Sequence, residues 1–123
     1  MMPLDPRGAA RRAVSANPDR PATAVLLDTP DIRLVVFRLA PGQVVPLHRS
    51  SSSVTLTVLD GNGILSGEQD ERVCSTGEMV AYPANELHGM RATTQELLLL
   101  ACITPRPGSR PAVPPIMAVA PEV

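Results

Sequence analysis

Between residues 21 and 104, apolar residues come in short runs and alternations broken by Gly, Pro, Asn or Asp. No long window carries a capped helical stripe, so the pattern is β throughout. Alternation is clearest at Val54-Thr55-Leu56-Thr57-Val58. There Val54, Leu56 and Val58 share one face and the threonines the other. Leu97 to Leu100 is instead continuous, as in a strand covered on both faces. Turn signals lie at Pro41-Gly42 and Thr76-Gly77, and Asp60-Gly61-Asn62-Gly63 predicts a tight hairpin into Ile64-Leu65. The pattern predicts strands over 23–28, 32–39, 43–48, 53–59, 63–68, 71–74, 78–82, 87–92 and 96–103. So many short strands in one stretch imply an all-β sandwich or barrel.

The two ends differ from this body. Residues 1–20 carry Pro3, Pro6, Pro18 and scattered charge, and read as a flexible arm. Residues 105–123 hold Pro105, Pro107, Pro111, Pro114, Pro115 and Pro121. Proline removes backbone donors and fixes φ, so this stretch reads as a Pro-rich tail, with one apolar patch at Ile116-Met117-Ala118-Val119. The expected organisation is an arm (1–20), one body (21–104) and a tail (105–123). The apolar strands at 32–39 and 96–103 also suggest a homodimer, since two-fold pairing protects sheet edges.

Composition narrows the function. A chain of 123 residues fits one domain. Hydrophobic residues at 44% against 19% charged exclude a wholly disordered chain. Eleven basic against 12 acidic residues give a net charge of -1, which argues against a nucleic-acid partner. All basic residues are Arg, so a Schiff-base lysine and a P-loop are excluded. One Phe, one Tyr and no Trp leave no base-stacking platform. Cys74 and Cys102 have no metal-type spacing and read as two reduced thiols, with a disulfide as the alternative. No 18-residue apolar run is present, so no membrane partner is expected. Arg11-Arg12 is not followed by an apolar run, so it does not read as an export signal, and the expected location is cytoplasmic.

Two histidines stand out through the framework around them. Gly42 is followed by five residues and then His48, and Gly61 lies thirteen residues beyond His48. Gly77 is followed by five residues and then Pro83, and His88 lies five beyond Pro83. In these six positions the chain resembles the two motifs of the cupin superfamily, over about residues 22–104. The resemblance implies a small jelly-roll barrel, which the strand pattern suits. It also implies where the chain departs from a metal-binding cupin. Ser50 stands at the first motif's second His and Val54 at its Glu; Asn85 stands at the second motif's glycine and Ala92 at its Asn.

In metal-binding cupins three His and one Glu hold a divalent transition metal such as zinc, manganese, iron or nickel. Here His48 and His88 remain, Ser50 is a poor ligand, and Val54 cannot ligate. Glu86, two residues before His88, is an awkward candidate for an oxygen ligand. Without metal, Val54, Leu56, Val58 and Met90 would form an apolar interior, with His48, Ser50 and His88 as its polar groups. Period two places His48 with Ser50, and His88 with Met90, on shared faces.

Three functions follow from this resemblance. The first is a stand-alone cupin with a degenerate metal site, acting as a small-molecule binding or sensor module. The second is a metal-dependent enzyme, a dioxygenase, isomerase or lyase, using His48 and His88. The third is a structural barrel filled by its own side chains. Ser50 has no G-x-S-x-G elbow around it, so serine catalysis is not expected. Gly61-x-Gly63 is not followed by a helix and is not a phosphate loop. Arg49 and Arg91 should point outward, into solvent, with a grip on an anionic ligand at the rim as the alternative. No helix-turn-helix accompanies the barrel.

Overall fold

The computed structural model describes residues 1–108. The expected tail patch Ile116–Val119 lies outside the described residues. One helix, α1 (Pro6–Arg12), precedes nine strands: β1 (Ala22–Asp28), β2 (Arg33–Leu39), β3 (Val44–His48), β4 (Ser53–Asp60), β5 (Asn62–Ser66), β6 (Glu71–Ser75), β7 (Met79–Tyr82), β8 (His88–Ala92) and β9 (Leu97–Thr104). Every predicted strand is present, with ends displaced by one or two residues. The strands form two antiparallel sheets, β1-β2-β9-β4-β7 and β3-β8-β5-β6. This is the jelly-roll arrangement that the resemblance implies, and the fold is all-β.

Alternation builds the core between the sheets. Val54, Leu56 and Val58 are each 0–1% exposed and pack with Phe37, Leu39, Leu65, Tyr82, Met90 and the inner residues of β9. Burying each such side chain stabilises the fold by about 1.5–3 kcal/mol. β9 explains its own unbroken apolar run. Leu97, Leu99, Ala101 and Ile103 enter the core, while Leu98 and Leu100 pack on the opposite face with Val36 and Ala10.

That opposite face is covered by α1, a helix absent from the sequence expectation. Residues 1–20 therefore include a docked segment and are not wholly a loose arm. Asp5 caps α1 by accepting from Gly8 N at 3.1 Å, and Pro6 starts it. Ala10 is fully buried against β2 and β9. Arg7 donates to Leu59 O at 2.7 Å, Arg11 pairs with Asp60 at 2.7 Å, and Arg38 donates to Arg11 O at 2.7 Å. The helix escaped the sequence reading because seven residues are too few to show a period.

The predicted hairpin at Asp60–Gly63 is also corrected. β4 and β5 do not pair; the chain crosses there from one sheet to the other. Gly61 makes this corner at φ +87°, and a Cβ there would sit 2.2 Å from Glu96 O. The real hairpin is β5–β6, closed by Gly67 N donating to Asp70 O at 2.9 Å.

Both cysteines are free. Cys74 lies in the core, where burial raises its thiol pKa; Cys102 is half-buried on the outer face of β9. Among the described residues no helix is long and apolar enough to cross a membrane.

Candidate functional site

β3 and β8 run antiparallel, with Val45 opposite Met90 and His48 opposite His88. Three steps along β3 thus match two along β8, which is a β-bulge. The extra residue resets the alternation, so Val45 and His48 are both half-buried while Val44, Pro46 and Leu47 are exposed. Gly89 makes room for the bulge. A Cβ there would lie 2.9 Å from Val45 O and 3.1 Å from Leu47 N.

His48 and His88 consequently meet, with ring centroids 4.4 Å apart and planes at 56°. His88 is 1% exposed and also packs on Tyr82, centroid to centroid 5.1 Å. Each Nδ1 faces the backbone carbonyl two residues earlier: His48 reaches Pro46 O at 2.9 Å and His88 reaches Glu86 O at 3.2 Å. A carbonyl only accepts, so the hydrogen-bond geometry assigns the proton to Nδ1 in both rings. In the neutral form of either ring the lone pair would then lie at Nε2. Both Nε2 atoms are buried, and that of His48 has no hydrogen-bond partner among the described residues.

The other sequence-predicted residues fall into two groups. Val54, Leu56, Val58 and Met90 are members of the apolar core. Ser50 is 2% exposed but does not share a strand face with His48, because β3 ends at His48. Its Oγ accepts from Ser52 N at 3.1 Å, and its carbonyl accepts from Asn85 N at 2.7 Å. Asn85 adopts φ +69°, a left-handed conformation that Asn tolerates almost as glycine does. That accounts for Asn85 at the position where the motif carries glycine.

A four-ligand metal site does not fit these residues. Two imidazoles are present, Val54 offers no donor, and the Ser50 hydroxyl is engaged locally. Glu86 meets His88 through its backbone carbonyl, and the residue lines a cavity together with Leu65, Val80 and Tyr82. Among the described residues no group of three His, Cys, Asp or Glu side chains is arranged to hold an ion.

Two residues outside the sequence expectation shape this end of the barrel. Tyr82 lines a cavity of about 600 Å³ with Leu65, Asp70, Val80 and Glu86, and its ring also contacts His88. Its hydroxyl donates to Ser66 O at 3.0 Å, and burial pushes its pKa up to about 12. Its position beside Pro83 was the available signal. Glu68 accepts from Arg49 at 2.5 Å and from Leu87 N at 3.2 Å. One carboxylate thereby joins the neighbour of His48 to the neighbour of His88. Arg49 in particular holds the Glu68 pKa below the ordinary value. No local pattern announces this residue. Arg49 and Arg91 point outward as expected, to Glu68 and Glu71.

Residues 35–104 match the cupin domain family. Among solved structures, a Thermus thermophilus protein superposes with TM-score 0.72 and 25% identity, covering 79% of this chain and 94% of its own. KdgF from Halomonas sp. gives TM-score 0.70 and 22% identity, covering 76% and 87%. DMSP lyase DddQ from Ruegeria pomeroyi gives TM-score 0.68 and 18% identity, covering 92% of this chain and 60% of that one. At such identities the latter two show the fold alone. No curated protein matches the chain.

Proposed function

Since the chain belongs to the cupin domain family, we propose that it is a small-molecule binding or sensor module whose ligand is met by His48 and His88. The observation that carries this reading is the buried Nε2 of His48, an acceptor without a partner among the described residues. Leaving a buried acceptor unsatisfied costs about 1–3 kcal/mol, which a ligand donor would recover. The remaining pocket residues of this reading are Ser50, Val54, Leu56, Val58 and Met90, and no catalytic residue is assigned.

Native mass spectrometry with elemental analysis of the untagged protein tests it. An organic mass lost on His48→Ala is expected. One metal ion per chain, also lost on His48→Ala, would replace this reading with a metal-dependent enzyme. That second reading draws support from the two Nδ1–carbonyl contacts, since ligating imidazoles are commonly oriented in this way. Its weakness is the ligand set, with Ser50 and Val54 where donors are needed. A chain with neither mass would favour the filled structural barrel, which the packing of Val54, Leu56 and Val58 supports.

Two further parts of the proposal concern context. A cytoplasmic location is part of the proposal, in keeping with the two free cysteines. A homodimer is the other part, supported by the exposed Val25, Val44 and Leu47 on β1 and β3, each an edge strand of its sheet. Sedimentation as a monomer at micromolar concentration would reject the dimer.

A further inference from the structure

β7 is an edge of the five-stranded sheet and β6 an edge of the four-stranded sheet, and these two edges do not pair with each other. A cavity of about 600 Å³ opens between them, a size that suits a small organic ligand. We propose that this cleft binds a small organic cation, a primary ammonium carried on an apolar body. The site is separate from the imidazole pair, since neither histidine lines it.

The floor of the cleft is apolar. Leu65 of β5 and Tyr82 of β7 are 2% and 4% exposed and belong to the core, and Val80 packs against it. Such a floor favours the hydrocarbon part of a ligand. The Tyr82 hydroxyl is committed to Ser66 O at 3.0 Å, so it offers no proton to an anion.

The walls carry an excess of negative charge. Glu68, Asp70, Glu71, Glu86 and Arg72 line the cleft. Glu68 is paired with Arg49, Glu71 with Arg91, and Arg72 with Glu78 at 3.6 Å. The carboxylates of Asp70 and the half-buried Glu86 have no cationic partner among the described residues, so two negative charges stay uncompensated. After burial and Cys74, the charges of Glu86 and Asp70 add to the rise in the Tyr82 pKa, which places both near the floor. A charge in a cleft with apolar walls is screened less than one on an open surface, so cations are drawn in and anions repelled. An ammonium also supplies the N–H donors that carboxylates accept.

Tyr82 is the sole tyrosine of the chain, so its ring signals in NMR report directly on the floor. The full-length protein is titrated at pH 7 with 2-phenylethylamine, 2-phenylethanol and 3-phenylpropanoate, which share an aromatic body and differ in charge. The amine should shift the Tyr82 ring signals saturably, with a Kd at least about tenfold below that of either other probe, a gap of about 1.4 kcal/mol. Added salt should narrow that gap. Asp70→Asn and Glu86→Gln should each raise the Kd of the amine about threefold, as loss of an exposed ion pair does, and leave that of the alcohol unchanged. Glu96→Gln, at a carboxylate paired with Arg38, should change neither. Equal or tighter binding of the alcohol or the propanoate would overturn the proposal. So would the absence of a saturable shift with the amine, or an amine Kd untouched in both Asp70→Asn and Glu86→Gln. The comparison of probes on the wild-type chain decides the matter even where a variant fails to fold.

Discussion

His48 stands opposite His88 because β3 carries one residue more than β8 between their two paired positions. The bulge turns the imidazole of His48 inward, and the rings then meet at 4.4 Å. An uninterrupted β3 with Val45 facing inward would have turned His48 to solvent.

Gly89 is the residue that permits this bulge. Replacing it by Ala puts a methyl 2.9 Å from Val45 O, so β3 must shift. Gly89→Ala should lower unfolding free energy by about 1–3 kcal/mol, as overpacking does. It should also weaken the ring-to-ring contacts between His48 and His88 seen by NMR. Retention of both would show that the close approach does not position the pair.

Val54 should decide whether the site takes divalent ions. It is 1% exposed and faces the core. Val54→Glu buries a carboxylate there and should destabilise the metal-free protein by about 3 kcal/mol or more. Added zinc or manganese should recover part of that loss, because an ion that binds only the folded state stabilises it. Adding Ser50→His should help less than the family motif suggests, since Ser50 lies beyond the end of β3. A wild-type melting temperature that rises as much with metal as that of Val54→Glu would contradict this account.

The helix α1 should contribute to stability through the face it covers. Deleting residues 1–13 uncovers Val36 and Leu98, now 0–1% exposed, together with their partly buried neighbours. The shortened chain should unfold at lower urea concentration and bind a hydrophobic dye more strongly than the full chain. Unchanged values in both measurements would mean that the docked helix adds nothing.

Asp28 sets an acid-side dependence. It accepts first from Arg106 and then from Arg33, and its pKa is lowered from 3.8 to about 2. A carboxylate with a depressed folded pKa stabilises the fold above its unfolded value. The contribution of Asp28 is therefore complete above about pH 4 and is lost as pH falls toward 2. Asp28→Asn should flatten the urea midpoint over that window relative to wild type. At pH 7 its midpoint should be lower, by a small amount because the cluster is part-exposed. A wild-type slope that persists in Asp28→Asn would assign the acid response to other carboxylates.

Short-range information in the sequence determined the strands. Period two, as in Val54-Thr55-Leu56, and turn residues such as Gly42 and Gly77 depend only on near neighbours, so the nine strands and the inward face of β4 were legible directly. The double cover of Leu97–Leu100 was legible too, although not what covered it. Tertiary structure alone decided the rest. Whether Gly61 closed a hairpin or turned a corner between sheets depended on which strand β5 met, a long-range choice. The inward turn of His48 depended on register against β8, which a single extra residue inverts. Tyr82 reached His88 through a ring contact, and Glu68 reached Arg49 and Leu87 beside the pair, meetings that long-range packing decides. α1 was stabilised by docking on β2 and β9, and a seven-residue helix has too little propensity of its own to announce itself.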